Sequence, residues 1–324
     1  MTKSYTDNPR AYELYLKGLY NSQKLTKDGL EKGIDYFRQA IAIDPKYALA
    51  YDGIAYSYNG ADDWILPPQD AVPKAKEAAK KALELDETLG AAHINLGAAY
   101  FWYDYDWKSA ERELKRGIEL SPNDVWAHEA YGWYLLVMRR FDDGIAENKR
   151  AQQLDPLSSV ANMLLGQSLY YAHRYDEAID QLRTTVDLSP DNWVAHDLLG
   201  WCYEVKGDLA QALAEFQRAR QIENSIAEPL ASLGRGYAML GKTEEAHKVL
   251  DQLNQLSMHN HVPPYNTAFV YSALGDKNQA IALLQRANQE RSWYVVMLAL
   301  DPKFDNLRSD PRFEHLVRQI GLPQ

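Results

Sequence analysis

Cysteine is almost missing from this chain: Cys202 is the only one in 324 residues. No intramolecular disulfide can form, and neither a C-x-x-C pair nor a zinc ligand set of the cysteine type is present. Such usage fits a reducing compartment, and a cytoplasmic setting is expected. Long apolar runs are also missing. No stretch approaches the roughly 18 apolar residues of a membrane-spanning helix, so no membrane partner is expected. The opening Met1–Arg10 is polar and carries Pro9, without the apolar core of a signal peptide. Basic excess is absent as well. Lys and Arg number 35 against 45 Asp and Glu, a formal net charge of -10. That argues against a general phosphate-backbone binder, so nucleic acid is not an expected partner. No N-x-[ST] glycosylation acceptor occurs. What remains is an ordinary folded composition, 46% apolar and 25% charged.

Against this plain background a period stands out. Gly132, Gly166, Gly200 and Gly234 fall 34 residues apart, and Gly97 precedes them by 35. Ala178, Ala212, Ala246 and Ala280 keep the same beat, with Ala110 two periods ahead of Ala178. Pro122, Pro156 and Pro190 follow it too. Turn punctuation alone would not bring three residue types onto one period. Each period holds two segments of helical periodicity. Ala195, Leu198, Leu199, Cys202 and Tyr203 mark one; Ala212, Leu213, Phe216 and Ala219 mark the next. Lys206-Gly207-Asp208 between them reads as a turn, and Asp-Pro or Ser-Pro pairs close several second segments. A helix-interior glycine costs about 1 kcal/mol against alanine. Its recurrence predicts close helix approach, expected at the recurrent alanine.

The pattern Leu199-Gly200-x-x-Tyr203 followed by Ala212-x-x-x-Phe216 resembles the tetratricopeptide repeat. The resemblance covers nearly the whole chain, taken as a single domain, 1–324. It divides into eight repeats at about 9–46, 47–87, 90–124, 125–158, 159–192, 193–226, 227–260 and 261–294, with a cap at 295–324. The fold implied is all-α, a right-handed solenoid of stacked helix pairs, because one pair cannot bury its apolar face alone. The first repeat carries about three extra residues near Leu25 to Lys27. The second carries about eight within Asn59–Pro73, expected as a loop. Asn148 stands where the fourth repeat should be apolar. Ser292–Leu300 is expected as a short helix, and 310–320 as a capping helix with Arg312, Glu314, His315 and Arg318 outward.

A narrower resemblance lies at the ends. Leu300-Asp301-Pro302-Lys303-Phe304 through Asp310-Pro311-Arg312-Phe313, with Gly321-Leu322-Pro323, is similar to the closing segment of repeat arrays in bacterial multidomain signalling proteins. Pro9–Gly18 is similar to where such arrays begin. That resemblance implies a regulatory or partner-binding region following a kinase, a cyclase or a winged-helix domain, and places no catalytic residue here.

Motifs with a chemical look have plainer readings. Gly236-Tyr237-Ala238-Met239-Leu240-Gly241-Lys242-Thr243 fits the phosphate-binding G-x-x-x-x-G-K-[ST] pattern by letter. That chemistry needs a strand before the loop, whereas Leu230–Gly234 reads as helix, so the match is read as coincidence. His93, His128 and His196 share one repeat position, with Asn162 replacing them once; packing explains the row better than a metal. His259-Asn260-His261 is a weak loop pair. Asp104 and Asp106 lack the rest of a calcium loop. No catalytic residue, metal or cofactor is expected, and Cys202 reads as a packed small residue.

The family resemblance implies a concave groove lined by first helices. Spacings of three and four keep positions two, five, nine and twelve on one face. Those positions give Tyr56, Phe101, Trp126, Glu129, Trp133, Gln167, Tyr170, Asp197, Trp201, Glu204, Arg235 and Phe269 as the candidate partner-binding set, beside Asp52 and Asn59. Aromatic faces with neighbouring carboxylates attract cations, and aromatic grooves accept proline-rich chain. The expected function is a non-enzymatic scaffold or adaptor that binds a protein or peptide segment, basic or proline-containing. The alternative is a ligand-sensing regulatory region of a signalling protein. The sequence leaves the oligomeric state open.

Overall fold

The computed structural model describes residues 6–24 and 26–322. The extra length expected near Leu25 and the closing Pro323 therefore fall partly outside the described residues. Seventeen α-helices follow one another, and no named strand occurs among the described residues. The chain divides into two compact units, one running to Ala130 and the other from Tyr131, where a single domain was expected.

The first unit holds three helix pairs: α1 (Pro9–Ser22) with α2 (Lys27–Ile43), α3 (Ala48–Ala61) with α4 (Pro68–Leu85), and α5 (Gly90–Ala99) with α6 (Trp107–Leu120). The division falls within α7 (Val125–Val137). The second unit continues with α8 (Phe141–Leu154), α9 (Ser159–Tyr171), α10 (Tyr175–Leu188), α11 (Trp193–Val205) and α12 (Leu209–Ile222). It then runs through α13 (Ala227–Met239), α14 (Thr243–Leu256), α15 (Pro264–Leu274), α16 (Lys277–Gln289) and α17 (Pro311–Ile320).

Local chemistry sets the boundaries. Asp106, Asp208 and Asp276 cap α6, α12 and α16 by accepting the amides of Ser109, Gln211 and Gln279. Gly207 takes φ +82° in the expected Lys206–Asp208 turn, a region open to glycine at little cost. Most of the expected Asn59–Pro73 loop is helical instead. Pro68 opens α4, where its missing N–H costs nothing, and Pro73 lies inside that helix. Only 62–67 connects α3 to α4. There Ile65 and Leu66 pack on Leu30, Ile34, Tyr58 and Ala71. After α5 the chain makes a π-helical turn, Tyr100–Asp104, and Tyr105 turns it with φ +58°.

The periodic glycines have a different partner from the one expected. A Cβ on Gly200 would lie 2.3 Å from the Phe216 ring, and one on Gly166 would lie 2.6 Å from Leu182. The close approach is thus to the large residue one turn beyond the recurrent alanine. The alanines Ala110, Ala178, Ala246 and Ala280 are fully buried nearby. At Gly132 the corresponding residue is Asn148, whose Nδ2 donates to the Ser168 hydroxyl at 2.8 Å and to the Gly144 carbonyl, while its Oδ1 has no donor among the described residues.

The end of the chain departs most from expectation. Instead of one short helix, 292–308 forms two 3₁₀ turns, Trp293–Met297 and Pro302–Leu307. α17 then buries Phe313, Leu316 and Ile320. Phe313 meets Phe304.

Candidate functional site

The second unit brings many of the expected groove residues together, and its own chain lies against them. Trp201, the ninth residue of α11, is 4% exposed because Lys303 sits over it, with Nζ 3.4 Å from the ring centroid. The Phe269 ring is 5.5 Å from the same ammonium. Asp301 pairs with it at 2.9 Å and also accepts the Tyr265 hydroxyl at 2.5 Å. Arg235 donates to the carbonyls of Lys303 and Phe269, both at 3.1 Å, and pairs with Glu204 at 2.7 Å. The Ser272 hydroxyl donates to the Asn306 amide oxygen at 2.7 Å or to the Lys303 carbonyl at 3.1 Å, and Asn306 donates back to the Ser272 carbonyl, so the segment is held by backbone and side chain alike. Trp133 meets Trp293 edge-to-face at 5.6 Å.

A physical reason is visible in the segment itself. Trp293-Tyr294-Val295-Val296-Met297-Leu298 is too apolar to remain in water, and the aromatic first-helix face supplies a place to bury it. Trp133, Tyr170, Trp201, Arg235 and Phe269, expected to face a partner, are therefore buried. Gln167 is buried too. Burial, with the charge of Glu228 next, lifts the Asp197 carboxyl well above the usual carboxylate range; the Ser232 hydroxyl and Lys303 oppose that rise. Ser232 donates to Asp197 at 2.7 Å.

The first unit carries the same arrangement at the same positions of its helices. Asp52 is the fifth residue of α3, as Asp197 is of α11. Tyr56 is the ninth, as Trp201 is. Asn95, sixth in α5, donates to Asp52 at 2.8 Å, just as Ser232, sixth in α13, donates to Asp197. Asn59 in turn donates to the Asn95 carbonyl at 3.0 Å, while its own Oδ1 has no donor among the described residues. Tyr56 is half-buried and meets Trp126 edge-to-face at 6.4 Å, and Trp102 lies 6.1 Å beyond Trp126. Burial raises the Asp52 carboxyl to about 7; the Asn95 bond opposes this and the Asp124 charge adds to it. Glu129 and Asp124 place negative charge near Tyr56. Phe101 is buried against Trp102 and Trp107 instead of lining this face.

Sequence reasoning missed Asn95, Ser232, Asp301 and Lys303. The first two had a signal: each puts a polar residue at an apolar position, and each follows a helix pair with Asp at position five. The last two had none, because Asp301-Pro302 reads locally as a turn.

The other chemical-looking motifs find structural roles. His93, His128 and His196 each set Nε2 against a backbone carbonyl six residues earlier, at Glu87, Pro122 and Pro190. Asn162 reaches the Pro156 carbonyl in the same way at 2.9 Å, which explains why it can replace histidine. Glu113 bonds His93 at 2.6 Å and raises its pKa. Gly236–Met239 lies in α13, so no strand precedes Lys242 and the backbone cannot wrap a phosphate there. His259 is exposed in the turn after α14. Cys202 is buried, and burial pushes its thiol up to about 12.

With this geometry in view, comparison with known proteins bears on the fold. A tetratricopeptide-repeat family model matches residues 163–226. Yeast Tom70 aligns over 98% of this chain and 69% of its own, at 16% identity and a TM-score of 0.59. PilF of Pseudomonas aeruginosa aligns over 67% of this chain and 94% of its own, at 18% identity and 0.50. PilW, described as a type IV pilus biogenesis factor, covers 66% and 94%, at 17% identity and 0.52. Identities this low speak for the fold, a helical solenoid of the tetratricopeptide type. A search of curated proteins finds no match.

Proposed function

We propose that the chain is a non-enzymatic scaffold that holds a segment of another protein on its first-helix face. The observation that carries this reading is the seating of Asp301-Pro302-Lys303-Phe304 on Trp201, Arg235, Tyr265 and Phe269. It is a worked case of this kind of face receiving a 3₁₀ turn through one ammonium, one carboxylate and backbone carbonyls. Since the second unit's face is filled from within, the partner falls to the half-buried Tyr56 and Trp126 of the first unit, Glu129 itself being buried. The chemistry favours a basic or proline-containing segment in a reducing, cytoplasmic setting. A second reading, a regulatory region controlling a separate effector domain, draws on the resemblance of the closing segment to signalling arrays.

Selection from a displayed peptide library on the immobilised full chain tests the proposal. Enrichment of lysine-, arginine- or proline-bearing sequences is expected, and Trp126→Ala should weaken their capture. Enrichment of acidic sequences, or none at all, would sink it.

A further inference from the structure

We propose that Asp52, Tyr56, Asn59 and Trp126 form a seat for the side-chain ammonium of a lysine carried by a partner protein. This deepens the scaffold reading and rests on it. The warrant is internal to the molecule. In α11 and α13, a fifth-position aspartate is bonded by a sixth-position side chain of the next first helix, and a ninth-position ring carries a lysine ammonium on its face. In α3 and α5 the same positions hold Asp52, Asn95 and Tyr56, with the same aspartate bond. The twelfth position agrees. Glu204 accepts a cationic donor from Arg235, whereas Asn59, 8% exposed, keeps an acceptor oxygen with no donor among the described residues.

Shape and charge fit one occupant. Tyr56 and Trp126 meet edge to face at 89°, and both are half-buried. The charges bearing on Tyr56 come from Glu129 and Asp124, and Asp124 also bears on Asp52. A compact ammonium satisfies ring faces, a carboxylate and an amide oxygen together, and it draws most strength from such a site when desolvated. The buried Trp126 Nε1 has no acceptor among the described residues.

The test uses the full chain and degenerate heptapeptides whose central residue is lysine, norleucine or glutamate, measured by fluorescence anisotropy at pH 8. Lysine peptides should bind about tenfold tighter than norleucine peptides, the order of one desolvated cation–π contact. Asp52→Asn, isosteric, and Tyr56→Leu, which keeps an apolar side chain without the ring, should each erase most of that preference while circular dichroism stays helical. Equal binding of norleucine, no binding of lysine peptides, or a lysine preference that survives both substitutions would overturn the seat. Binding without lysine dependence would overturn the seat and leave the scaffold reading standing; preference for glutamate would overturn both. Self-association on sedimentation that Tyr56→Leu abolishes would assign the seat to a second copy and overturn the partner.

Discussion

Two single positions show how little room these helices leave. Gly200 sits where a methyl group would enter the Phe216 ring. Gly200→Ala gains about 1 kcal/mol of helix propensity but overpacks a core site, which costs about 1–3 kcal/mol. A net loss near 1 kcal/mol is expected in urea unfolding, and a stabilised variant would contradict the packing account. Asp52 makes the opposite point, that a polar group can be buried at a cost set by pH. Its folded pKa is about 7 against an ordinary 3.8. Between those values the folded chain holds a proton the unfolded chain has lost, so this group's effect on stability worsens as pH rises from about 4 to about 7. Asp52→Asn keeps the acceptor for Asn95 and removes the titration. Its urea midpoint should overtake that of the parent increasingly between pH 5 and pH 8. A pH-independent gap would mean that Asp52 is ionised throughout.

At the scale of elements, the 292–308 segment is the clearest case of a long-range contact deciding what a face does. Lys303 and Asp301 are 3% and 0% exposed, a pair buried with almost no water. Lys303→Met leaves Asp301 charged and unpaired, and such breaks cost about 3–5 kcal/mol. Adding Asp301→Asn should recover at least half of the loss, read from paired denaturation curves. Equal instability of the single and double variants would show that the ion pair is incidental to the seating. The helices themselves were legible because glycine, alanine and proline share a local period and Asp-rich turns cap the next helix. The histidine row was legible as packing. The filled face was not. Its aromatic residues at positions nine and twelve look the same in sequence whether water, a partner or residues more than 30 further along cover them. The Asn59–Pro73 stretch misled for a local reason: proline in a helix's first turn resembles proline in a loop.

Taken whole, a chain built by stacking gains stability from its own repeats and from nearest-neighbour interfaces. Its two compact units therefore need not open at the same denaturant concentration, and a probe confined to one of them is valuable. Cys202 is such a probe. It is the sole sulfhydryl, lies on α11 in the second unit, and is 0% exposed with a pKa near 12. At pH 8 about one molecule in ten thousand carries the reactive thiolate, and that thiolate is shut away from reagent. Disulfide-exchange reagents should therefore modify the native chain only as fast as α11 opens. Their rate should climb with urea along the slope of the second unit's unfolding, giving a clock for that unit with no engineered label. Modification within seconds in native buffer would show that α11 breathes freely. If the clock runs slowly, a cysteine introduced at exposed Tyr20 in the first unit can be labelled selectively beside it, without first removing the native one.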